Sequence, residues 1–246
     1  MYLNLEKLIN RYKIETKEIA YIGANQGQNI PILLKILQNP TIHLFEPQKK
    51  VFEKLKNNYS YNENLRFYNI ALGSKTENKD IYININNSNQ SSSILEPAEH
   101  KKYHKKIIFD GRESIKVDKF SNLKLSNVNF LNIDVQGYEL EVLKGCDEYL
   151  NKIKYIICEV NRKEMYKDCV LVKDLDKYLK PYGFIRVETA WCEGTIPWGD
   201  ALYLKKIDLN RFRIIKCTSI NYIQNIKGYF FFKAIPKRFK KFLKSK

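Results

Sequence analysis

Glu18-Ile-Ala-Tyr-Ile-Gly-Ala-Asn-Gln-Gly27 decides how this chain of 246 residues is read. A short apolar run ends in a glycine-rich turn, and a helical pattern starts just beyond it. In an open parallel α/β sheet, that arrangement builds a nucleotide crevice at the carboxyl end of a strand. Gly23 and Gly27 follow a G-x-x-x-G spacing. A dinucleotide turn wants glycine at three positions, G-x-G-x-x-G, and Asn25 and Gln28 stand where it needs glycine. A cofactor that puts no phosphate in the turn, such as S-adenosylmethionine, fits the stretch better. Glycine-rich turns also occur where nothing binds, so the neighbouring segments must agree.

Working outward, strand and helix patterns alternate. Strands are expected over residues 18–23, 41–46, 65–69, 129–134, 155–160, 184–188 and 201–205. Helices are expected over 29–37, with Pro31 tolerated in the first turn, over 48–57, from 139 and over 171–182. An N-terminal helical segment fills residues 1–17. Such alternation implies a parallel sheet covered on both faces. Residues 84–93, Asn-Ile-Asn-Asn-Ser-Asn-Gln-Ser-Ser-Ser, read as a polar, flexible loop. From there to Asp118 the chain is irregular and basic, an insertion over the crevice and a candidate substrate lid. The domain is thus expected over 18–208, with the insertion at about 84–118 and a basic aromatic tail over 209–246.

Acids fall at strand ends. Glu46 closes the second strand, 23 residues after Gly23. An acid about 20 residues past the turn accepts hydrogen bonds from ribose hydroxyls; the alternative is an acid beside a helix start. Asn69 follows the third strand, where its amide could meet an adenine edge or simply make a turn. Asp134 sits at the carboxyl end of the fourth strand, where open sheets bind ligands. Glu139 follows it on the next helix, and Glu159 ends the fifth strand.

The formal net charge is +16, a field that favours anionic partners. Residues 227–246 interleave aromatics with Lys and Arg and hold no acid. That composition suits an anionic membrane surface or a nucleic-acid backbone, or a solvated tail. No run of about 18 apolar residues exists to span a membrane, and no secretory signal is visible. Five scattered cysteines without C-x-x-C spacing read as reduced thiols in the cytoplasm. Peripheral attachment to the inner face of a membrane stays open.

The motifs in order are Tyr-Ile-Gly-Ala-Asn-Gln-Gly at 21–27, Phe-Glu-Pro at 45–47, Asn-Ile-Ala-Leu-Gly at 69–73, Ser-Ser-Ser-Ile-Leu at 91–95, Asn-Ile-Asp-Val-Gln-Gly-Tyr-Glu-Leu-Glu-Val-Leu-Lys-Gly at 132–145, Cys-Glu-Val at 158–160 and Trp-Gly-Asp-Ala-Leu-Tyr at 198–203. Together they resemble the FkbM-type methyltransferases over roughly residues 20–205. The resemblance implies a Rossmann-like class I methyltransferase fold with a mostly parallel seven-stranded sheet. It implies an S-adenosylmethionine-dependent O-methyltransferase, often acting on sugars of glycans, lipopolysaccharide or natural products, and so here on a hydroxyl of a sugar in a glycan, glycolipid or related metabolite. Residue by residue, it puts Gly23, Asn25 and Gly27 around the methionine end of the cofactor and Glu46 on the ribose. Asn69 and Ala71 would line the adenine side, Ser92 and Ser93 would close over the cofactor, and Asp134 would lie near sulfonium and acceptor. Two positions depart from the family pattern. Tyr21 stands where an acid usually begins the first motif, and Gln136 where Glu is common.

Methyl transfer asks mainly for alignment and for removal of the acceptor's proton. Asp134 is the first candidate base, with Glu159 and Glu139 behind it. A magnesium ion held by Asp134, Glu159 and water is a further expectation, because oxygen ligands suit it. His100 and His104, four apart, read as an exposed charged helix, an acceptor-binding or base pair, or two ligands of a zinc site. His43 reads as structural. Trp191 and Trp198 could stack on a sugar or pack a loop. Two other functions compete: an RNA methyltransferase drawn by charge, and a membrane-associated binding module without chemistry.

Overall fold

The computed structural model describes residues 3–84, 86, 90–104, 106–192, 196–209, 215–218 and 220–221. Its elements run in the order α1 (Leu5–Tyr12), β1 (Glu18–Ile22), α2 (Ile30–Ile36), β2 (Thr41–Phe45), α3 (Lys49–Tyr59), β3 (Leu65–Tyr68), β4 (Ala71–Leu72), β5 (Glu77–Ile83), α4 (His100–Tyr103), β6 (Gly111–Asp118), β7 (Phe130–Ile133), α5 (Glu139–Gly145), β8 (Tyr155–Asn161), α6 (Val172–Leu179), β9 (Phe184–Trp191) and β10 (Trp198–Lys205).

Seven strands form one sheet in the order β3-β2-β1-β7-β8-β10-β9. They are the seven segments the sequence marks. β3, β2, β1, β7 and β8 pair in parallel, and β10 enters antiparallel to both β8 and β9. β1 shows why the central strands read as unbroken apolar runs: both sheet faces are covered. Ile19 and Tyr21 pack with Leu5 and Leu8 of α1, Ile30 and Leu33 of α2 and Leu55 of α3. Ala20 and Ile22 face the other way, among Val142 and Leu143 of α5 and Leu175 and Leu179 of α6. The result is the Rossmann-like α/β sandwich that the resemblance implies. His43 is structural, as expected: its ring bridges the Tyr68 hydroxyl at 3.0 Å and the Glu18 carboxylate at 3.3 Å, tying β1, β2 and β3.

The stretch between β3 and β7 differs from the expectation. β4, β6 and β5 form a second, three-stranded sheet, so the segment read as irregular up to Asp118 ends in an eight-residue strand, β6. Its alternation (Arg112 exposed, Ile115 and Val117 buried) is short and heavily charged, and only a small apolar cluster covers it. The described residues of the polar loop are also more buried than its composition suggests. Asn84, Ser91, Ser92 and Ser93 are buried, and Ser93 pairs antiparallel with Tyr82 of β5 through bonds of 2.8 and 3.1 Å. The basic stretch over 227–246 lies outside the described residues. Among those described, no helix is long and apolar enough to cross a membrane, and Cys146, Cys158, Cys169, Cys192 and Cys217 are buried and in no disulfide.

Candidate active site

The strand order reverses between β1 and β7, and there the carboxyl ends of the strands open into a crevice. A cavity of about 640 Å³ fills it. The glycine turn makes its floor. Gly23 and Ala24 donate their N–H groups to the Phe45 carbonyl at 3.0 and 2.9 Å, and Asp134 N–H donates to Ile22 O at 3.0 Å. β1 is thus pinned to both neighbours at the point where it turns away. Gly23 has φ +82°, and a Cβ there would overlap the Asp134 carbonyl oxygen. No other residue fits this close approach.

Glu46 anchors the turn from β2. It is buried, its Oε2 accepts from Asn25 N–H at 3.0 Å and its Oε1 from Gln48 N–H at 2.9 Å. Burial pushes its carboxyl up to about 7, against the pull of those two backbone bonds. Asn69 stands behind it, with its amide donating to the carbonyls of Glu46 and Pro47 at 2.9 Å. Gly23, Asn25, Glu46, Ala71, Ser92, Ser93 and Asp134 all line the cavity; Gly27 and Asn69 do not. Gly27 (φ +85°) instead packs against Ile30, Leu55 and Tyr59, with the Tyr59 hydroxyl donating to its carbonyl at 3.1 Å.

The three acids of the sequence reading separate. Asp134 and Glu159 line the cavity and Glu139 does not. Glu139 Oε1 accepts from the N–H groups of Gly137, at 2.9 Å, and Val135, at 3.4 Å. It holds the turn after β7, where Gln136 and Gly137 adopt positive φ of 56° and 100°. Fully buried, it too is pushed up to about 7. Between Asp134 and Glu159 lies Gln136. Its Nε2 donates to Asp134 Oδ1 and to Glu159 Oε2, each at 2.8 Å. The Tyr166 hydroxyl lies 2.8 Å from Gln136 Oε1 and 3.0 Å from the Ser91 carbonyl, and Ser93 Oγ donates to the Gln136 carbonyl at 2.6 Å. Burial, then Asp134, Glu139 and Asp200, push Glu159 well above the carboxylate range. Burial raises Asp134 as well.

Several further residues line the cavity to which the sequence reading gives no role. Tyr21 accepts from the Asn29 amide at 2.9 Å. Asp200 lies opposite Glu159 in the β10–β8 register. Tyr166 sits in a stretch without periodic signal. His100 and His104 prove to be wall, not exposed helix: His100 is buried and both rings line the cavity. The lysines that crowd the segment, Lys101 and Lys102, are exposed beside them. Of the two tryptophans, Trp198 lines the cavity, while Trp191 is covered by the Arg162 guanidinium, 3.6 Å from its ring centre.

The magnesium expectation finds no support in the donor set. Among the described residues no group of three or more His, Cys, Asp or Glu could hold a metal ion, and one oxygen each of Asp134 and Glu159 already takes a Gln136 proton. The zinc reading of the histidine pair fails on the same ground.

The model of the Methyltransferase FkbM domain matches residues 22–186. The 2-O-methyltransferase NoeI of Sinorhizobium fredii (strain NBRC 101917 / NGR234) is 24% identical over 155 residues, covering 59% of this chain and 64% of that protein. The crystal structure of Methyltransferase FkbM from Methylobacillus flagellatus KT superposes with a TM-score of 0.52 at 14% identity, over 77% of this chain and 43% of that one. Magnesium protoporphyrin IX methyltransferase from Synechocystis PCC 6803, with bound SAM, gives 0.45 at 10% identity, over 81% and 74%. The chain therefore spans less than two thirds of the length of the first two relatives. With the FkbM domain matched from β1 into β9, and the strand-end crevice lined by the residues of its motifs, the chain belongs to the FkbM methyltransferase family.

Proposed function

We propose that the protein transfers a methyl group from S-adenosylmethionine to a hydroxyl of a saccharide. The observation that carries this reading is the composition of the cavity wall. Glu46, an acceptor-only carboxylate when ionised, stands beside the glycine turn, ready for a pair of ribose hydroxyls. Ala71, Leu72 and Ile70 offer an apolar slot for the adenine. Asp134 puts a carboxyl group at the strand end, and no lysine or arginine lines the cavity among the described residues. A cationic methyl donor meets there an acid pair, Asp134 and Glu159, bridged by the neutral Gln136 amide. Bound S-adenosylmethionine supplies a methyl group already activated by positive sulfur. The chain's own task is to align the acceptor oxygen with it, chiefly a proximity effect.

Trp198, half-buried on the wall, gives the acceptor an amphipathic face of the kind sugars stack on. The sugar class follows the family resemblance, and the oxygen acceptor agrees with the name of NoeI. The decisive test is calorimetry with S-adenosylmethionine followed by labelled methyl transfer to a panel of methyl glycosides and glycolipids. Micromolar binding and label in a glycoside are expected. Absence of cofactor binding sinks the methyltransferase reading, and label appearing only in added RNA sinks the saccharide.

A further inference from the structure

Resting on the methyl-transfer reading, we propose that His100 is the base that takes the proton of the acceptor hydroxyl, and that its neighbourhood is the acceptor subsite. The carboxyl groups at the cavity are otherwise engaged. Glu139 is spent on the turn after β7. Glu159 is pressed towards its neutral form by burial and three neighbouring acids. Asp134 is half of a pair stitched together by one amide, and it faces the cationic donor.

His100 differs from all of these. Its residue is only 5% exposed, it lines the cavity, and its Nδ1 is buried with no hydrogen-bond partner. An orphaned buried polar atom is costly, and such atoms ask for an explanation in function. The ring is held firmly. Its backbone N–H donates to Met165 O at 3.0 Å, and Phe109 and Tyr166 pack around it with ring centres at 5.5 and 5.3 Å. Burial and then His104 push its titration down to about 4, so at neutral pH the imidazole is uncharged and carries a free lone pair. Tyr166 links this wall to the acid pair, since its hydroxyl bonds the Gln136 amide that bridges Asp134 and Glu159. His104, its ring centre 4.8 Å from that of His100 and half-buried, leads outward and meets Trp198 at 6.3 Å.

The acceptor O–H bond breaks and its proton passes to a His100 ring nitrogen. The oxygen lone pair forms the new O–CH₃ bond, and the methyl–sulfur bond breaks with its electron pair left on sulfur. The sulfonium charge disappears as the imidazolium charge appears. The imidazolium then returns its proton to water by way of His104.

The test uses the full chain and the methyl glycoside that the wild-type enzyme labels fastest. His100→Phe keeps an aromatic ring in the packing and removes the lone pair; His100→Gln is the second variant should the first not fold. The expected result for a folded variant is a kcat lower by about 10²–10⁴, the range for loss of a general base, with S-adenosylmethionine affinity and acceptor KM within threefold. A folded variant with wild-type kcat overturns the assignment, and so does one whose whole loss lies in KM. Wild-type enzyme that binds no S-adenosylmethionine or labels no glycoside overturns the underlying reading instead, and the two failures are distinguishable.

Discussion

Two buried polar clusters lie on this one sheet, and they are built on opposite plans. Behind β9 and β10, the Arg186 side chain is completely buried and forms a two-pronged pair with Asp176, Nε to Oδ1 and Nη2 to Oδ2, each at 2.9 Å. The Tyr203 hydroxyl donates to the same carboxylate at 3.0 Å. Opposite charges and hydrogen bonds balance there, as a closed structural site requires. At the carboxyl ends of β7 and β8, Asp134 and Glu159 meet across a neutral amide, with Asp200 and Glu139 nearby and no lysine or arginine lining the cavity among the described residues. In a chain of net charge +16 with 43 Lys and Arg, that imbalance is a property of the site, not of the composition. The paired cluster stabilises the fold. The acid cluster instead raises the titration of its buried carboxyls.

Breaking each cluster should separate the two roles. Asp176→Ala leaves a buried guanidinium without its partner and is expected to lower unfolding free energy by about 3–5 kcal/mol, measured by urea denaturation, while the folded fraction keeps its cofactor affinity. Asp134→Asn keeps an acceptor for the Gln136 amide and removes one of the crowded acids. Stability should stay within about 0.5 kcal/mol or rise, whereas affinity for S-adenosylmethionine should fall by roughly 30-fold or more, the lower range for loss of one partner of a buried charge pair. Equal losses of stability in the two variants would erase the distinction between the clusters.

The smallest effect is a pH dependence. Glu46 has its folded-state value raised from 4.5 to about 7. Between those values the folded chain holds a proton that the unfolded chain has released, so the ligand-free protein loses stability as pH rises through that window. Glu139, also raised to about 7, adds a slope of the same sign. Ribose hydroxyls need the ionised Glu46, so cofactor binding should run the other way and tighten as pH rises through about 7. Glu46→Gln is expected to bind about tenfold more weakly, the order of one charge-assisted hydrogen bond, and to lose that limb of the affinity profile while the Glu139 part of the stability slope remains. An unchanged affinity profile would remove Glu46 from the ribose site.

Much of this was legible because burial on both faces writes itself as an apolar run. Ile19, Ala20 and Ile22 announce β1, and β2, β7, β8 and β10 announce themselves the same way, while the edge strands β3 and β9 interleave charged residues, Arg66 and Glu188. β5 and β6 were not legible: Glu77-Asn-Lys-Asp-Ile-Tyr-Ile83 and Gly111-Arg-Glu-Ser-Ile-Lys-Val-Asp118 are half-exposed strands whose few inward side chains serve a small cluster. Asp134 and Glu46 could be found by position, at strand ends a fixed distance from a glycine turn. Glu139 shares that neighbourhood in sequence, yet its side chain turns under the loop to satisfy backbone N–H groups, a choice that spacing does not record.

By itself the sequence determined the parallel sheet, the glycine turn, Glu46 and the family, because these depend on local pattern and on glycine where a backbone carbonyl leaves no room for Cβ. Only the tertiary structure decided which acids share a site, that Gln136 stitches Asp134 to Glu159, and that His100 is a buried wall. Those facts depend on segments far apart in the chain meeting at one strand end, where burial and neighbouring charges set what each side chain can do.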